Sequence, residues 1–290
     1  MKISIVVPSF NRGYIIRRTL GSVLNQSFQN WECFIVDDFS SDNTEEIVNK
    51  YHSQDDRIKF IRNNRTKGAQ GARNTGILAS SGEWVVLFDS DNVMHPDFLK
   101  KCADVIDTDN IDVVTTWSNV IDSNTNSIIR YFKWVNNGNI YKGILSAKCY
   151  VDNSSTLIRK NKLEEIGLLS EDCPAFQEWD THIRLSKIAT YKTIEECLID
   201  YYAGASDAIS SDPIKDVKGY VYILSKFRKE WLDFSKYRYI KYVSLLEYKI
   251  SLLSVDKRAM FKDSYKTIVG GYKPIIWLMS KMVAMKRKAM

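Results

Sequence analysis

Gly82-Glu-Trp-Val-Val-Leu-Phe-Asp89-Ser90-Asp91-Asn92 joins an unbroken apolar run, Trp84 to Phe88, to two carboxylates separated by one small residue. A strand buried on both faces reads as such a run. Ligands of open α/β sheets sit beyond the carboxyl ends of the strands. Two aspartates there, one residue apart, can both meet one hard cation if the backbone turns. Mg²⁺ or Mn²⁺ is commonly held by one or two carboxylates while substrate phosphates complete its shell. The segment therefore points to a metal–diphosphate site. The plainer alternative is a strand followed by an acidic helix start, since Asp91, Asn92 and Asp97 all suit turns and N-caps.

Working outward, Ile3–Val7 is a short β-branched run stopped by Pro8, and Ile15, Ile16, Leu20, Val23 and Leu24 follow at helical spacing. Trp31–Val36 predicts a second strand, closing on Asp37-Asp38 and a polar cluster that starts a helix over Glu45–Tyr51. Ile58–Ile61 predicts a third strand, and polar, glycine-containing Asn63–Arg73 runs into a helix over Asn74–Ser80. Pro96–Val105 is the helix after the Trp84–Phe88 strand. Strands alternating with helices predict an α/β protein with a mostly parallel, doubly wound sheet. Beyond it, Ile111–Trp117 and Ser155–Arg159 predict strands, and Asn119–Asn139 a hairpin or irregular insert. Lys162–Gly167 and Trp179–Lys187 predict helices, and from Lys215 the pattern is long, tyrosine-rich and helical.

In a parallel sheet the ends of the second and fourth strands share a rim, so Asp37-Asp38 and Asp89-Ser90-Asp91 face one crevice. A carboxylate there can accept hydrogen bonds from a ribose or a base N–H, although Asp38, Ser41 and Asp42 also suit helix capping. Lys67-Gly68 through Gly76 combines small residues with one basic side chain, Arg73, at a helix start. Glycines permit close backbone approach and a helix N-terminus favours anions. The pattern is neither Gly-x-Gly-x-x-Gly nor a loop ending Gly-Lys-Ser/Thr, so those nucleotide folds are not supported. Gln177-Glu178-Trp179-Asp180 reads as a loop before a helix, able to place a carboxylate in the crevice or to serve as an acidic first turn.

The 290 residues, 44% hydrophobic and 26% charged, suit a globular chain with one large domain and an appendage. Five cysteines lie far apart, none in Cys-x-x-Cys spacing, which predicts free thiols in a reducing cytosol. The N-terminal apolar stretch is too short for a signal sequence, and no apolar run approaches the roughly 20 residues of a membrane span. The expected location is the cytoplasm. The net charge of +6 is unevenly spread: from Lys215 onward 18 basic and 6 acidic residues give +12, leaving −6 for residues 1–214. A basic tail suggests an anionic partner. Within it, Pro274–Met285 is apolar with one lysine and is followed by Lys286-Arg287-Lys288. Such a segment suits a membrane interface at the inner face of the membrane, or equally a helix packed on the enzyme or in a homodimer. No recognition motif accompanies the charge, so nucleic acid is not an expected partner.

Taken together these elements resemble the family 2 glycosyltransferases and their GT-A fold. Ser4 to Arg12, with Pro8, Ser9 and Asn11, resembles the family's first strand and loop. Phe34 to Thr44, Gly68 to Gly76 and Leu87 to Asn92 resemble its second, third and metal motifs. Asn153 to Arg159, the Glu165-Ile166-Gly167 turn and Glu178 to Leu185 resemble its acceptor half. The resemblance covers roughly residues 1–205. It implies a GT-A domain over 1–212, with a nucleotide-sugar half (1–110) and an acceptor half (111–212), and a helical extension over 213–290. It implies an inverting, Mn²⁺- or Mg²⁺-dependent transfer from a nucleotide-sugar, most simply a UDP-sugar, to a saccharide or lipid-linked saccharide in surface polysaccharide synthesis. Asp91, with Asp89, would hold the metal. Pro8, Ser9, Asn11, Asp37, Asp38, Gly68, Arg73, Asp89 and Ser90 would line the donor site, and Asn153, Ser154 and Trp179 the acceptor side. Glu178 falls at the general-base position, with Asp180 the fallback. Two departures stand out: Asn92 where many relatives carry a further aspartate, and Gln177-Glu178 where they carry Glu-Asp. The competing readings are a sugar-nucleotide nucleotidyltransferase, disfavoured by Pro8-Ser9-Phe10-Asn11 where such enzymes carry a glycine-rich loop, and a non-catalytic nucleotide-sugar-binding protein.

Overall fold

The computed structural model describes residues 1–106, 110–203, 212–269, 276 and 280. It divides into two compact units, Met1–Glu171 with Thr181–Ser206, and Asp172–Asp180 with Asp207–Met290. The segment Asp172–Asp180 thus groups with the C-terminal helices, not with the residues on either side of it.

The first unit follows the alternation expected from sequence: β1 (Ile3–Ser9), α1 (Ile16–Leu24), β2 (Trp31–Asp37), α2 (Thr44–His52), β3 (Ile58–Arg62), α3 (Ala69–Ala79) and β4 (Trp84–Leu87). A two-residue strand β5 (Val93–Met94) precedes α4 (Phe98–Ile106), and β6 (Val113–Asp122) forms a hairpin with β7 (Ile128–Phe132). Then come α5 (Tyr141–Leu145), β8 (Thr156–Arg159), α6 (Lys160–Glu165) and the long β9 (Tyr191–Ala203). The strands form one sheet in the order β3-β2-β1-β4-β8-β6-β9-β5, with β7 on β6. Pairings among β3, β2, β1 and β4 are all parallel, as the alternation predicts. Past β4 the sheet is mixed: β8 runs antiparallel to both β4 and β6, while β9 runs parallel to β6 and antiparallel to β5.

The apolar runs that predicted the strands are the core. Ile3, Ile5, Val7, Cys33, Ile35, Trp84 and Val86 are buried together with Ile16, Leu20 and Phe98 from the helices. Helix α3 lies directly on β1, because a Cβ at Gly76 would stand 2.3 Å from Val6 Cγ1. One charge is built into this core. Glu32, 2% exposed, accepts hydrogen bonds from Ser4 Oγ (2.8 Å), Ser81 N (2.7 Å), Lys2 Nζ (2.9 Å) and Lys59 Nζ (3.0 Å). Burial alone would raise its pKa, but these donors hold it well below the carboxylate range. Replacing Glu32 by alanine strands buried donors, so unfolding free energy is expected to fall by about 3 kcal/mol. Urea denaturation of the variant measures this, and an unchanged midpoint would refute it.

In the second unit, α8 (Pro213–Lys226) starts at Asp212, whose carboxylate accepts from Ile214 N at 2.8 Å ahead of a proline in the first turn. Helices α9 (Arg228–Phe234), α10 (Lys236–Ser251), α11 (Val255–Ala259) and α12 (Lys262–Val269) follow. Buried Trp231 and Tyr239 centre this unit, and Tyr239 Oη donates to Ile268 O at 2.7 Å. Phe176 and Trp179 explain why 172–180 belongs here: Trp179 packs 5.7 Å from Trp231 and 5.4 Å from Tyr242, and Phe176 lies 4.8 Å from Tyr220. Gln177–Leu185 forms α7, so Gln177-Glu178-Trp179-Asp180 is the first turn of a helix, where a loop was expected. No helix among the described residues is long and apolar enough to cross a membrane. Apart from residues 276 and 280, the apolar segment Pro274–Met285 and the basic cluster after it lie outside the described residues.

Candidate functional site

Parallel pairing of β1 with β2 and with β4 brings the expected donor residues to one rim. At the end of β1 the Ser9 carbonyl accepts from Asp38 N at 2.8 Å, locking the two loops together. Asn11 and Phe39 take left-handed φ values of 51° and 66°. Non-glycine residues in that region are uncommon and concentrate at functional sites. Asn11 Oδ1 accepts from Ser41 N (2.8 Å), which ties the first loop to the second.

The two adjacent aspartates divide their work. Asp37, 1% exposed, accepts from Arg62 Nη1 (3.2 Å) and Ser40 N (3.1 Å) and braces its own loop. Asp38, 7% exposed, accepts from Asn63 Nδ2 (2.7 Å) and Gly68 N (2.8 Å). Gly68 has φ +125°, which a side chain would strain, so the amide that reaches Asp38 depends on glycine. Helix α3 starts at Ala69, five residues before its expected start, and sets Arg73 on its first turns.

Arg73, 5% exposed, donates from Nη2 to Asp89 Oδ1 (2.6 Å) and from Nη1 to Gln70 Oε1 (2.7 Å). Ser154 Oγ holds the other side of Asp89: it donates to Oδ2 (3.1 Å) and accepts from Asp89 N (3.2 Å) and Asn92 Nδ2 (3.0 Å). Ser154, expected on the acceptor side, therefore acts as a brace for Asp89. Asn92 is fully buried behind it, as a support rather than an open ligand position. Ser90 is also buried, its carbonyl taken by Thr19 Oγ1 at 2.9 Å. Asn153 is buried beside Ser154 and caps the β8 turn through its carbonyl.

Asp91 is held differently. Arg18 Nη2 donates to its backbone carbonyl (2.6 Å), and the Arg18 guanidinium lies 3.4 Å from the ring centre of Tyr202. Arg12 Nη2 stands 3.8 Å from Asp91 Oδ2. The Asp91 side chain keeps 32% of its surface and Asp89 30%. A solvent-facing carboxylate with a second one nearby is a hard-oxygen donor set that suits Mg²⁺ or Mn²⁺ with phosphate oxygens completing the shell. Donors for an anion are present as well. Ser9 Oγ, Gln70 Nε2 and Arg73 Nε are buried with no hydrogen-bond partner among the described residues. Arg18, Asn63 and Tyr202 were not singled out in the sequence, and Arg12 and Gln70 fell inside motifs without a role of their own. Alone, the arginines read as surface charge, and only the fold sets them against Asp91.

His182, which adjoins a motif, is 1% exposed and paired with Tyr191 Oη at 3.0 Å. Burial, with Arg184 nearby, lowers its pKa to about 3, so it is a neutral core group. In the second unit Asp180 is fully buried and bound to Lys226 Nζ at 2.6 Å, while Glu178 is half-buried in the first turn of α7. Trp179 sits among Phe176, Tyr220, Trp231 and Tyr242. All five cysteines are free.

His95 carries a pH-linked contact. Its Nε2 meets Asp200 Oδ1 at 3.0 Å, and that hydrogen bond raises the imidazole pKa above its ordinary 6.5 against the opposing effect of burial. A raised folded value means a stabilisation complete below pH 6.5 and lost as pH rises through the folded pKa. His95→Asn is therefore expected to flatten the stability–pH curve just above 6.5. Denaturant midpoints across that range test this, and a slope unchanged from wild type would refute it.

The glycosyl transferase family 2 model matches residues 4–167, which include every residue of the rim described above except Tyr202. A UDP-glucose:α-D-GlcNAc-diphosphoundecaprenol β-1,3-glucosyltransferase of Escherichia coli is 37% identical over 130 residues, 45% of this chain and 50% of that protein. The chain spans half or less of the length of the first curated relatives it matches. Among solved structures, Staphylococcus aureus TarS (residues 1–349) with UDP-GlcNAc superposes at a TM-score of 0.66 and 19% identity, over 94% of this chain and 92% of that one. A Pyrobaculum calidifontis mannosyltransferase with GDP-Man and Mn²⁺ gives 0.61 and 15%, over 97% and 84%. At such identities the likeness speaks for the fold, which is GT-A.

Proposed function

Since the chain belongs to glycosyl transferase family 2, we propose that it is a metal-dependent, inverting glycosyltransferase using a UDP-sugar. What carries this reading is one arrangement: Asp89 clamped between Arg73 and Ser154 at the end of β4, with Asp91 facing solvent beside it on the rim that holds Asp38. The UDP-GlcNAc named with TarS and the UDP-glucose donor of the E. coli relative support uracil as the base. The mannosyltransferase named with Mn²⁺ supports the ion.

Asp91, with Asp89 beside it, would hold Mn²⁺ or Mg²⁺. The bound ion would supply charge stabilisation on the diphosphate oxygens as the sugar departs. Arg73 and Ser154 fix the Asp89 carboxylate, so it needs no reorganisation when charge develops. Asp38 orients the nucleoside, with Pro8, Ser9, Asn11 and Gly68 lining the same loops. Glu178, by its place in the family's motif, takes the proton from the acceptor hydroxyl as that oxygen attacks the anomeric carbon from the face opposite the diphosphate. A single displacement inverts the configuration. The acceptor is a saccharide, most simply one linked to a lipid diphosphate, as in the E. coli relative. The basic tail would then hold the enzyme at the inner face of the membrane, with a homodimer the alternative use of that segment.

The test is a thermal-shift screen of UDP-, GDP- and dTDP-sugars with Mn²⁺. A donor at 100 times its Kd is expected to raise Tm by roughly 5–10 °C for a chain of this size. Stabilisation by GDP-sugars alone would overturn the base assignment, and no stabilisation by any donor would overturn the whole reading. Release of UDP only when an acceptor is added would separate an enzyme from a non-catalytic binder.

A further inference from the structure

A shallow, open groove lies in the first unit at the turn that braces Asp89. Phe132, Trp134 and Tyr150 line it with aromatic surface, and Asn136, Asp152 and Ser155 with polar groups. Asp152 and Ser155 flank Asn153-Ser154, so one turn faces the groove with its ends and holds Asp89 with its middle. Trp134 and Tyr150 remain 40% and 45% exposed, with ring centres 6.2 Å apart and tilted by 49°. Large aromatics left in water beside a concave polar surface are the usual composition of a ligand site.

Asn136 adds an independent observation. It is 1% exposed, its Nδ2 donates to Tyr150 O at 2.9 Å and its backbone N donates to Thr193 Oγ1 at 2.7 Å. Its Oδ1 has no hydrogen-bond partner among the described residues. A buried acceptor left unmet costs about 1–3 kcal/mol, so this atom rewards a donor, whether a water or a ligand group that displaces it. A ligand seated here would present an O–H or N–H to Asn136 Oδ1 and an apolar face to the aromatics. The Asp152 carboxylate disfavours an anionic occupant such as a phosphate.

We propose that this groove is the saccharide subsite for the acceptor: a neutral pyranose stacks on Trp134 and Tyr150 while Asn136 Oδ1 accepts from one of its hydroxyl or acetamido groups. The inference rests on the glycosyltransferase reading and adds to it where the acceptor ring sits. It also links the two substrates, since the turn that senses the ring is the turn that positions Asp89.

Saturation-transfer NMR on the full chain, with and without UDP and Mn²⁺, tests this with methyl β-D-glucopyranoside and methyl 2-acetamido-2-deoxy-β-D-glucopyranoside as probes. At least one glycoside is expected to receive saturation from the wild type. Trp134→Ala should weaken its Kd about tenfold, the scale of truncating an aromatic anchor, and Trp134→Phe should recover most of that loss. UDP affinity should stay constant across the series. The proposal is overturned if neither glycoside binds the wild type, or if Trp134→Ala, shown to be folded by its melting curve, binds as the wild type does. Glycoside binding that survives while UDP binds to nothing would support the groove and count against the donor reading instead.

Discussion

Asp91→Ala is expected to slow sugar transfer by about 10³-fold and to abolish the Mn²⁺ dependence of UDP binding. A positioned divalent ion supplies several kcal/mol of charge stabilisation in such a displacement, and each 1.36 kcal/mol is a factor of ten in rate. Of the two carboxylates, Asp91 is the informative one to remove. Asp89 is engaged by Arg73 and Ser154, so deleting it strands a guanidinium that is 5% exposed and confuses a metal effect with a folding one. The Asp91 side chain keeps 32% of its surface and its backbone carbonyl still bonds Arg18, so the variant should fold normally. Titrating UDP with and without Mn²⁺ by calorimetry, alongside UDP release with acceptor, gives both readouts. Metal-stimulated transfer at near wild-type rate in the variant would remove Asp91 from the site.

Glu178→Gln should leave donor affinity intact and cut transfer by roughly 10²-fold or more, the scale of general acid–base assistance. Asp180→Asn is the comparison that gives this experiment its force. Asp180 is fully buried and paired with Lys226 at 2.6 Å, so neutralising it removes the charge that balances the Lys226 ammonium. Breaking such a pair from one side costs about 3 kcal/mol. The two variants therefore predict different pairs of results: Glu178→Gln melts like the wild type and turns over slowly, whereas Asp180→Asn melts early. Should Glu178→Gln turn over normally and Asp180→Asn stay folded but inactive, the base assignment moves to Asp180.

The parallel half of the sheet was legible because each of its strands is an apolar run ended by polar residues, and α1, the first helix between them, buries an apolar face at regular helical spacing. The aspartates at the ends of β2 and β4 could be placed on one rim before any coordinates, since parallel pairing leaves no other arrangement. Strand β9 was not foreseen: Lys192, Glu195 and Glu196 interrupt its apolar pattern, and it is partly exposed along much of its length. Strand β5, two residues long, is below what periodicity can register. Within the site, the motif residues were found by type and spacing, but their division of labour was not. Asp37 as a loop brace, Ser154 as the clamp on Asp89 and Arg12 beside Asp91 follow from contacts between residues 25 to 79 positions apart, which no local window contains. The grouping of Asp172–Asp180 with the C-terminal helices was hidden for the same reason, because its aromatics find their partners 44 to 63 positions downstream.

The ends of the sheet bear on how the protein survives its own synthesis. One end is β3, five residues that carry Lys59 and Arg62 with side chains 41% and 52% exposed. The other end of the main path is the two-residue β5, while β7, joined to β6, lies off that path and leaves Ile128, Ile129 and Tyr131 exposed. Unpaired backbone on a long, flat, apolar margin would recruit strands from neighbouring chains. A margin that is short at one end and positively charged at the other offers them little to extend. At these two ends self-templated aggregation is discouraged, even though the interior of the sheet is among the most apolar parts of the chain, whereas β7 presents an exposed β-branched face.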